Sequence, residues 1–168
     1  MNRVVVRNAT AADLAEVVRL ERRTPEASHW PEGGYVLMLD QGSADDAVRR
    51  RFLVAQAAGR LVGFAVGRAA GRGVEGFAEL ETVVVEFGAR RAGVGRALCE
   101  GVIAWCLDLG LGRLELEVRA GSAGAIALYR SLKFVAVGSR PGYYRDPDED
   151  ALLMELEFAR WRRDGAGL

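Results

Sequence analysis

The stretch from Ala89 to Arg96 reads Ala-Arg-Arg-Ala-Gly-Val-Gly-Arg. It separates a β-branched run, Thr82-Val83-Val84-Val85, from an apolar-periodic stretch carried by Leu98, Val102, Ile103 and Leu109. Two glycines and three arginines thus stand where a strand ends and a helix begins. That junction commits the chain to a fold of mixed strands and helices. It also commits it to a chemistry. The first N–H groups of a helix have no intrahelical partner and sit at the positive end of the helix dipole, so they attract anions. Glycine lets the backbone approach a ligand, and arginine adds forked hydrogen bonds that suit phosphate oxygens. The spacing predicts a loop that holds a diphosphate.

A dinucleotide-binding fold is one claimant to this loop. It asks for Gly-x-Gly-x-x-Gly with an acidic residue about 20 positions on. Gly93 and Gly95 fit and Glu115 is near the right distance, but Leu98 stands where the third glycine belongs. The chain before the loop also reads as a meander of strands, not as the opening of a βαβ unit. Gly71, Gly73 and Gly76 spell the glycine pattern in full. They lie between two strand-like runs and read as a connection.

At 168 residues the chain suits one domain, and half of its residues are hydrophobic, enough for a substantial core. The expected division is one domain over residues 1–159 and a polar, frayed tail over 160–168. With 23 basic and 23 acidic residues, no global electrostatic case exists for nucleic acid or an anionic membrane. No apolar run approaches the roughly 18 residues of a membrane span, and residues 1–7 lack a signal-peptide core, so a cytoplasmic location is expected. Cys99 and Cys106 lie seven apart on one expected helix. That puts them about 10 Å apart along the axis. A disulfide needs Cα atoms within about 7 Å, so the pair reads as small core residues. One histidine and no Cys-x-x-Cys argue against a metal site.

Periodicity places strands at residues 4–7, 51–57, 61–68 and 77–85, with a hairpin turn at 58–60. Thr10 is positioned to cap a helix through Leu14, Val17, Val18 and Glu21, and a second helix is expected over 34–41. The glycine-loop helix ends near Gly110 or Gly112. Leu114, Leu116 and Val118 alternate with Glu115, Glu117 and Arg119 as a strand. Ser122 is placed to cap a helix over 123–132, and strands over 134–139 and 151–158 follow. The order β-α-α-β-β-β-α-β-α-β-β is an α/β arrangement: a mixed sheet with helices on both faces.

The segment from Glu79 to Phe158 resembles the GNAT superfamily of acyltransferases, and within it the ribosomal-protein alanine N-acetyltransferases. The resemblance rests on Ala78-Glu79-Leu80, on Arg90-Arg91-Ala92-Gly93-Val94-Gly95, and on Leu116-Glu117-Val118-Arg119. It continues through Ala127-Leu128-Tyr129 with Leu132 and Phe134. It ends with Arg140-Pro141-Gly142-Tyr143-Tyr144 followed by Glu149-Asp150-Ala151-Leu152-Leu153-Met154. The resemblance implies a GNAT fold that binds acetyl-CoA. Backbone groups of Val83, Val84 and Val85 would pair with its pantetheine arm. Arg90 and the N–H groups from Arg91 through Ala92, Gly93, Val94 and Gly95 to Arg96 would hold its pyrophosphate. Glu117 would be the general base and Tyr129 the general acid, with Ser122 and Tyr129 also against the cofactor. The family usually has Asn where Ser122 stands, Pro where Phe87 stands and Gly where Lys133 stands. Lys133 would then need a left-handed backbone at a helix C-cap, at a cost of about 1 kcal/mol.

The reaction class is consistent with these residue types. An N-terminal α-amine, with a pKa of about 7.7–8.0, is partly neutral near pH 7, whereas a lysine at about 10.4 is neutral in roughly one molecule per thousand. A carboxylate base is therefore adequate for an N-terminus. A backbone N–H at the end of the Val83–Val85 strand can stabilise the oxyanion, and a phenol can protonate the departing thiolate. Each residue also has a purely structural reading. Glu117 would pair with Arg119 on its own strand face; Tyr129 would be a core tyrosine; Tyr143 and Tyr144, in a Pro-Gly turn, would close the sheet edge. Glu79 and Glu81 share a face beside the cofactor strand, and Glu81 is the alternative base. His29 and Trp30, between the first two helices, either pack over the sheet or join Glu79, Tyr143 and Tyr144 in choosing the substrate. The expected activity is acetyl transfer to a protein N-terminal amine, a ribosomal protein among the candidates, by a monomer or weak homodimer. The alternatives are a lysine or small-molecule acceptor, or a domain that binds acyl-CoA without turnover.

Overall fold

The computed structural model describes residues 3–27, 30–42 and 47–163. Strand β1 (Val5–Asn8) pairs antiparallel with β2 (Val48–Ala57), which returns as β3 (Arg60–Ala70). Ala58 and Gly59 turn that hairpin with φ of 51° and 76°, the two positive values that a two-residue turn demands. Strand β4 (Phe77–Val85) completes the meander, reached through a connection in which a short 3-10 turn at Gly73–Glu75 lies between Gly71 and Gly76 of the glycine triplet. Helix α3 (Val94–Asp108) then crosses to β5 (Arg113–Arg119), which pairs parallel with β4. Helix α4 (Ala123–Ser131) leads to β6 (Val135–Tyr144) and β7 (Glu149–Glu157). The single sheet runs β1-β2-β3-β4-β5-β7-β6, so β7 inserts between β5 and β6.

Both faces carry a core. On one, α3 and α4 set Leu98, Val102, Ile103, Cys106 and Tyr129 against Leu53, Ala65, Leu80, Leu114, Leu116 and Met154. On the other, α1 (Leu14–Arg22) and α2 (Glu32–Met38) set Val17, Leu20, Tyr35 and Met38 on Phe52, Val54, Phe64 and Val66. There Tyr35, Phe52 and Phe64 interlock with ring centroids 6.0–6.4 Å apart. Helices α1 and α2 pack over β2, β3 and β4. The same side of β5 and β7 is therefore a shelf of half-buried charged residues. Cys99 and Cys106 are free and buried, and burial pushes both thiols up to about 12.

Local boundaries differ from the sequence reading in instructive ways. Thr10 does open the first helical segment, through a 3-10 turn at Ala11–Asp13. There the Asp13 carboxylate accepts from the Thr10 N–H at 2.8 Å and from Arg7 at 2.7 Å. Strand β2 begins at Val48, three residues early, because Arg49 and Arg51 alternate with Arg50 on a pleat whose far half is apolar. Pro141 and Gly142 make no turn. They form a bulge inside β6, where Arg140 opposes Ala151 and Tyr144 opposes Glu149. The chain reverses after Tyr144 instead. The expected frayed tail is replaced over its first residues by α5 (Phe158–Arg163), which buries Phe158 and Trp161.

Candidate active site

A bulge opens the sheet. Val66 of β3 opposes Thr82 and the next residue, Gly67, opposes Leu80, so Glu81 is an extra residue in β4. An extra residue bends its strand and sharpens the local twist. The parallel ladder between β4 and β5 accordingly covers only Phe77/Arg113, Ala78/Leu114 and Glu79/Glu115, although β4 continues to Val85 and β5 to Arg119. Past Glu79 the two strands part, and the Val83–Val85 backbone lies along the opening.

A cleft of about 640 Å³ fills the gap. Val83, Val84 and Val85 form one wall; Arg90, Arg91, Gly93, Gly95 and Arg96 close one end; Ser122 and Tyr129 from the α4 side form the other wall. Gly93 is the N-cap of α3 at φ 81°, no side chain caps this helix, and its first turn holds no acidic residue. These are the conditions under which helix N–H groups stay free for an anion. Arg91 takes φ 65° in the same loop and makes no side-chain hydrogen bond or ion pair among the described residues. Arg96 spans the mouth instead: it donates to Glu100 at 3.2 Å and to the Ser131 hydroxyl of α4 at 2.7 Å. Arg90 folds back on its own loop, donating to the Val85 carbonyl, stacking on exposed Phe87 and pairing with Glu26. Ala92 and Val94 do not line the cleft, and Val94 is buried in the core. Ser122 holds the N-cap position of α4, but its hydroxyl makes no capping bond. The cleft suits a diphosphate with an extended amide-bearing arm: uncapped helix N–H groups stand at one end and a strand with unpaired polar backbone runs along the middle.

Tyr129 reaches the cleft from α4 while its ring packs on Phe134, with centroids 5.7 Å apart. Burial is the main cause holding its phenol protonated, well above the ordinary value of 10.0.

The carboxylates face the other side of the sheet. Glu81 is 19% exposed, 3.8 Å from Arg50, and its Oε2 is buried without a hydrogen bond. Burial raises its pKa, with the Arg50 charge opposing and Glu79 reinforcing. Glu117, on β5, ion-pairs with Arg140 of β6 at 3.2 Å and faces the Tyr143 hydroxyl, whose pKa is raised mainly by its interaction with that carboxylate. Tyr144 stands edge-on to Tyr143, with centroids 5.1 Å apart, and burial pushes it up to about 12. Glu117, Tyr143 and Tyr144 are thus brought together. Glu79 and Glu81 lie on the same side, toward β3. Trp30 packs edge-on against Tyr35 under α2, and His29 lies outside the described residues.

Sequence reasoning missed the cations. Arg119 does not pair with Glu117 but with Glu149, at 3.4 Å, and Arg140 takes the Glu117 carboxylate. The alternation of β5 does put Arg119 on the face of Glu117. No sequence signal fixed which hairpin residues would arch over that face.

The acetyltransferase (GNAT) family model matches residues 14–134 of the chain. The ribosomal protein bS18-alanine N-acetyltransferase of Escherichia coli (strain K12) is 43% identical over 84 residues, which are 49% of this chain and 57% of that protein. The Mycobacterium tuberculosis N-alpha-acetyltransferase RimI is 35% identical over 106 residues, 63% of this chain and 65% of that one. The matches thus span about half the length of the curated relatives. The crystal structure of the Escherichia coli ribosomal-protein-S18-alanine N-acetyltransferase shares the fold with a TM-score of 0.73 at 30% identity, over 92% of this chain and 94% of that one. With the bulged β4, the parted strands and the Arg-x-x-Gly-x-Gly loop opening α3, these matches mean that the chain belongs to the acetyltransferase (GNAT) family.

Proposed function

We propose that this chain is an N-acetyltransferase that moves the acetyl group of acetyl-CoA to a protein N-terminal α-amine. The observation that carries the reading is the opening between β4 and β5. It sets an anion-binding cleft with Tyr129 on one side and Glu117 with Tyr143 on the other. Acetyl-CoA, when bound, supplies an acetyl thioester whose carbonyl carbon accepts the amine.

Each step then falls to a group of this chain. Free N–H groups from Arg91 to Arg96 hold the pyrophosphate, assisted by Arg91. Backbone groups of Val83 to Val85 orient the pantetheine arm and polarise the carbonyl. Glu117 takes the amine proton, directly or through water, as the N–C bond forms. Tyr129 gives its proton to the sulfur as the C–S bond breaks. Tyr143 and Tyr144 border the acceptor path. The names of the Escherichia coli and Mycobacterium tuberculosis relatives favour an N-terminal acceptor, and a ribosomal protein beginning with alanine is the first to try.

The test is acetyl transfer to two matched peptides, read by mass spectrometry. One has a free N-terminal alanine and no lysine; the other has a blocked N-terminus and one lysine. The reading expects acetylation of the first alone. Acetylation of the lysine peptide alone overturns the acceptor assignment. Neither product, with acetyl-CoA bound, shifts the reading to a small-molecule acceptor or an acyl-CoA sensor.

A further inference from the structure

At the end of β5, Arg119 and Glu149 hold together the turn that leads into α4 and the β6–β7 reversal. The Arg119 guanidinium donates to the Pro147 carbonyl at 3.2 Å, to the Arg145 carbonyl at 3.2 Å and to Glu149 Oε1 at 3.4 Å. Its Cζ lies 4.5 Å from the centre of the Tyr144 ring. The whole β6–β7 reversal is thereby tied to β5. The other Glu149 oxygen, Oε2, accepts from the Gly121 N–H at 2.6 Å. Gly121 immediately precedes Ser122, which lines the cofactor cleft and starts the helix that carries Tyr129. The fit at Gly121 is close: a Cβ there would stand 2.8 Å from Glu149 Oε2. Arg119 and Glu149 are only 17% and 26% exposed, so these charge-assisted bonds are shielded from solvent more than an ordinary surface pair.

We infer that the Arg119–Glu149 pair is a positioning clamp that couples the Gly121–Ser122 turn on the cofactor side to Tyr143 and Tyr144 on the acceptor side. This rests on the acetyltransferase reading above. Neither residue touches the reacting atoms. Ligand binding against Ser122 fixes the Gly121 turn; Glu149 and Arg119 pass that order to the hairpin; the acceptor meets tyrosines already in place. Coupling of this kind is reciprocal, so an acceptor peptide tightens coenzyme A binding by the factor that coenzyme A tightens the peptide.

The test uses the full chain, unreactive coenzyme A and the N-terminal alanine peptide, with Arg119→Gln and Glu149→Gln variants. Amide hydrogen exchange is followed with and without coenzyme A. In the wild type, coenzyme A slows exchange in the 90–96 loop, at 121–124 and in the 141–148 hairpin. In either variant the loop is still protected and the hairpin is not. The acceptor KM rises roughly tenfold in Arg119→Gln, as expected for truncating a charged hydrogen-bonding partner, while kcat changes by less than about threefold. If Arg119→Gln does not fold, Arg119→Lys keeps the charge, loses the fork and shows the same loss of hairpin protection. Hairpin protection that persists in the variants overturns the clamp. So does a wild-type hairpin indifferent to bound coenzyme A. Absence of coenzyme A binding to the wild type instead overturns the acetyltransferase reading.

Discussion

Arg140 Nε of the edge strand β6 stands 3.2 Å from Glu117 Oε1 of β5, reaching across the intervening β7 to the proposed base. The guanidinium is 57% exposed and also leans on the Tyr143 ring at 5.6 Å. An ion pair this open is worth about 0–1 kcal/mol, so an arriving amine displaces it at small cost. The two partners should therefore behave very differently on mutation. Glu117→Gln is expected to lower kcat/KM by about 10²–10⁴, the range for loss of a general base. Arg140→Ala should change it by less than about fivefold. Steady-state kinetics on the alanine peptide decides it, and an Arg140→Ala loss as deep as that of Glu117→Gln would make the guanidinium part of the chemistry.

Glu81 has the opposite character. Burial raises its pKa, so the folded state holds its proton more tightly than the unfolded chain does. The charged form is the destabilised one. Its cost appears as pH rises from the ordinary value of 4.5 through the raised one, and is complete above that. Glu81→Gln should accordingly raise Tm at pH 7, by roughly 2–4 °C for each kcal/mol gained, and the gain should vanish below pH 4.5. Catalysis should persist within about threefold if the base is Glu117, as proposed, and not Glu81. Loss of turnover in Glu81→Gln with Glu117→Gln active would pass that role to Glu81.

How far the sequence reaches depends on how local the cause is. The Arg90–Gly95 loop was legible as a glycine-rich helix start because consecutive residues fix its backbone, with Gly93 at φ 81° capping α3. The order of elements was legible from period-two and helical patterns. The bulge at Glu81 was not, because an unbroken alternation of acidic residues looks the same whether or not the partner strand skips a position. Pro141-Gly142 has the composition of a turn, and only its pairing across β7 makes it a bulge. The partners of Glu117 and Arg119 depend on that bulge, so both escaped. Helix α5 hid behind its arginines, although Phe158 and Trp161 are spaced three apart, as one buried helical face requires.

Asp13 is held well below the usual carboxylate range, at about 2, chiefly by its hydrogen bonds with Arg7. A depressed folded-state pKa stabilises above the unfolded value and loses that stability as pH falls. The loss should run from the ordinary value of 3.8 down to about 2. Asp13→Asn should cost about 1–2 kcal/mol at pH 7, reduced from the full linkage value because Arg7 is partly exposed. Denaturant titrations of both proteins should converge near pH 2. A constant gap across that range would mean that the residue acts through packing and not through charge.

Lys133 takes φ 74° at the C-terminus of α4, where its N–H donates to the Arg130 carbonyl at 3.0 Å. A side chain there crowds the backbone by about 1–2 kcal/mol, part of which glycine returns as entropy of the unfolded chain. Lys133→Gly should thus stabilise the fold by about 0.5–1 kcal/mol without altering acetyl transfer. Equilibrium unfolding measures it, and a destabilised variant would mean that the lysine stem contributes packing that outweighs the strain.

Tyr129 separates binding from chemistry. Its ring is held between α4 and Phe134, and phenylalanine preserves that volume. Burial keeps the phenol protonated far above neutral pH, so the donor is available throughout the working range, and no alkaline loss of activity below about pH 10 should trace to this group. Tyr129→Phe removes only the hydroxyl, whose proton the proposed mechanism gives to the departing sulfur. The expected result is a fall in kcat of about 10²-fold with the acetyl-CoA Kd within about threefold of wild type. Pre-steady-state transfer and calorimetric titration of the same preparation give the two numbers. An unchanged kcat would leave Tyr129 as a core residue and hand proton delivery to another donor at the cleft.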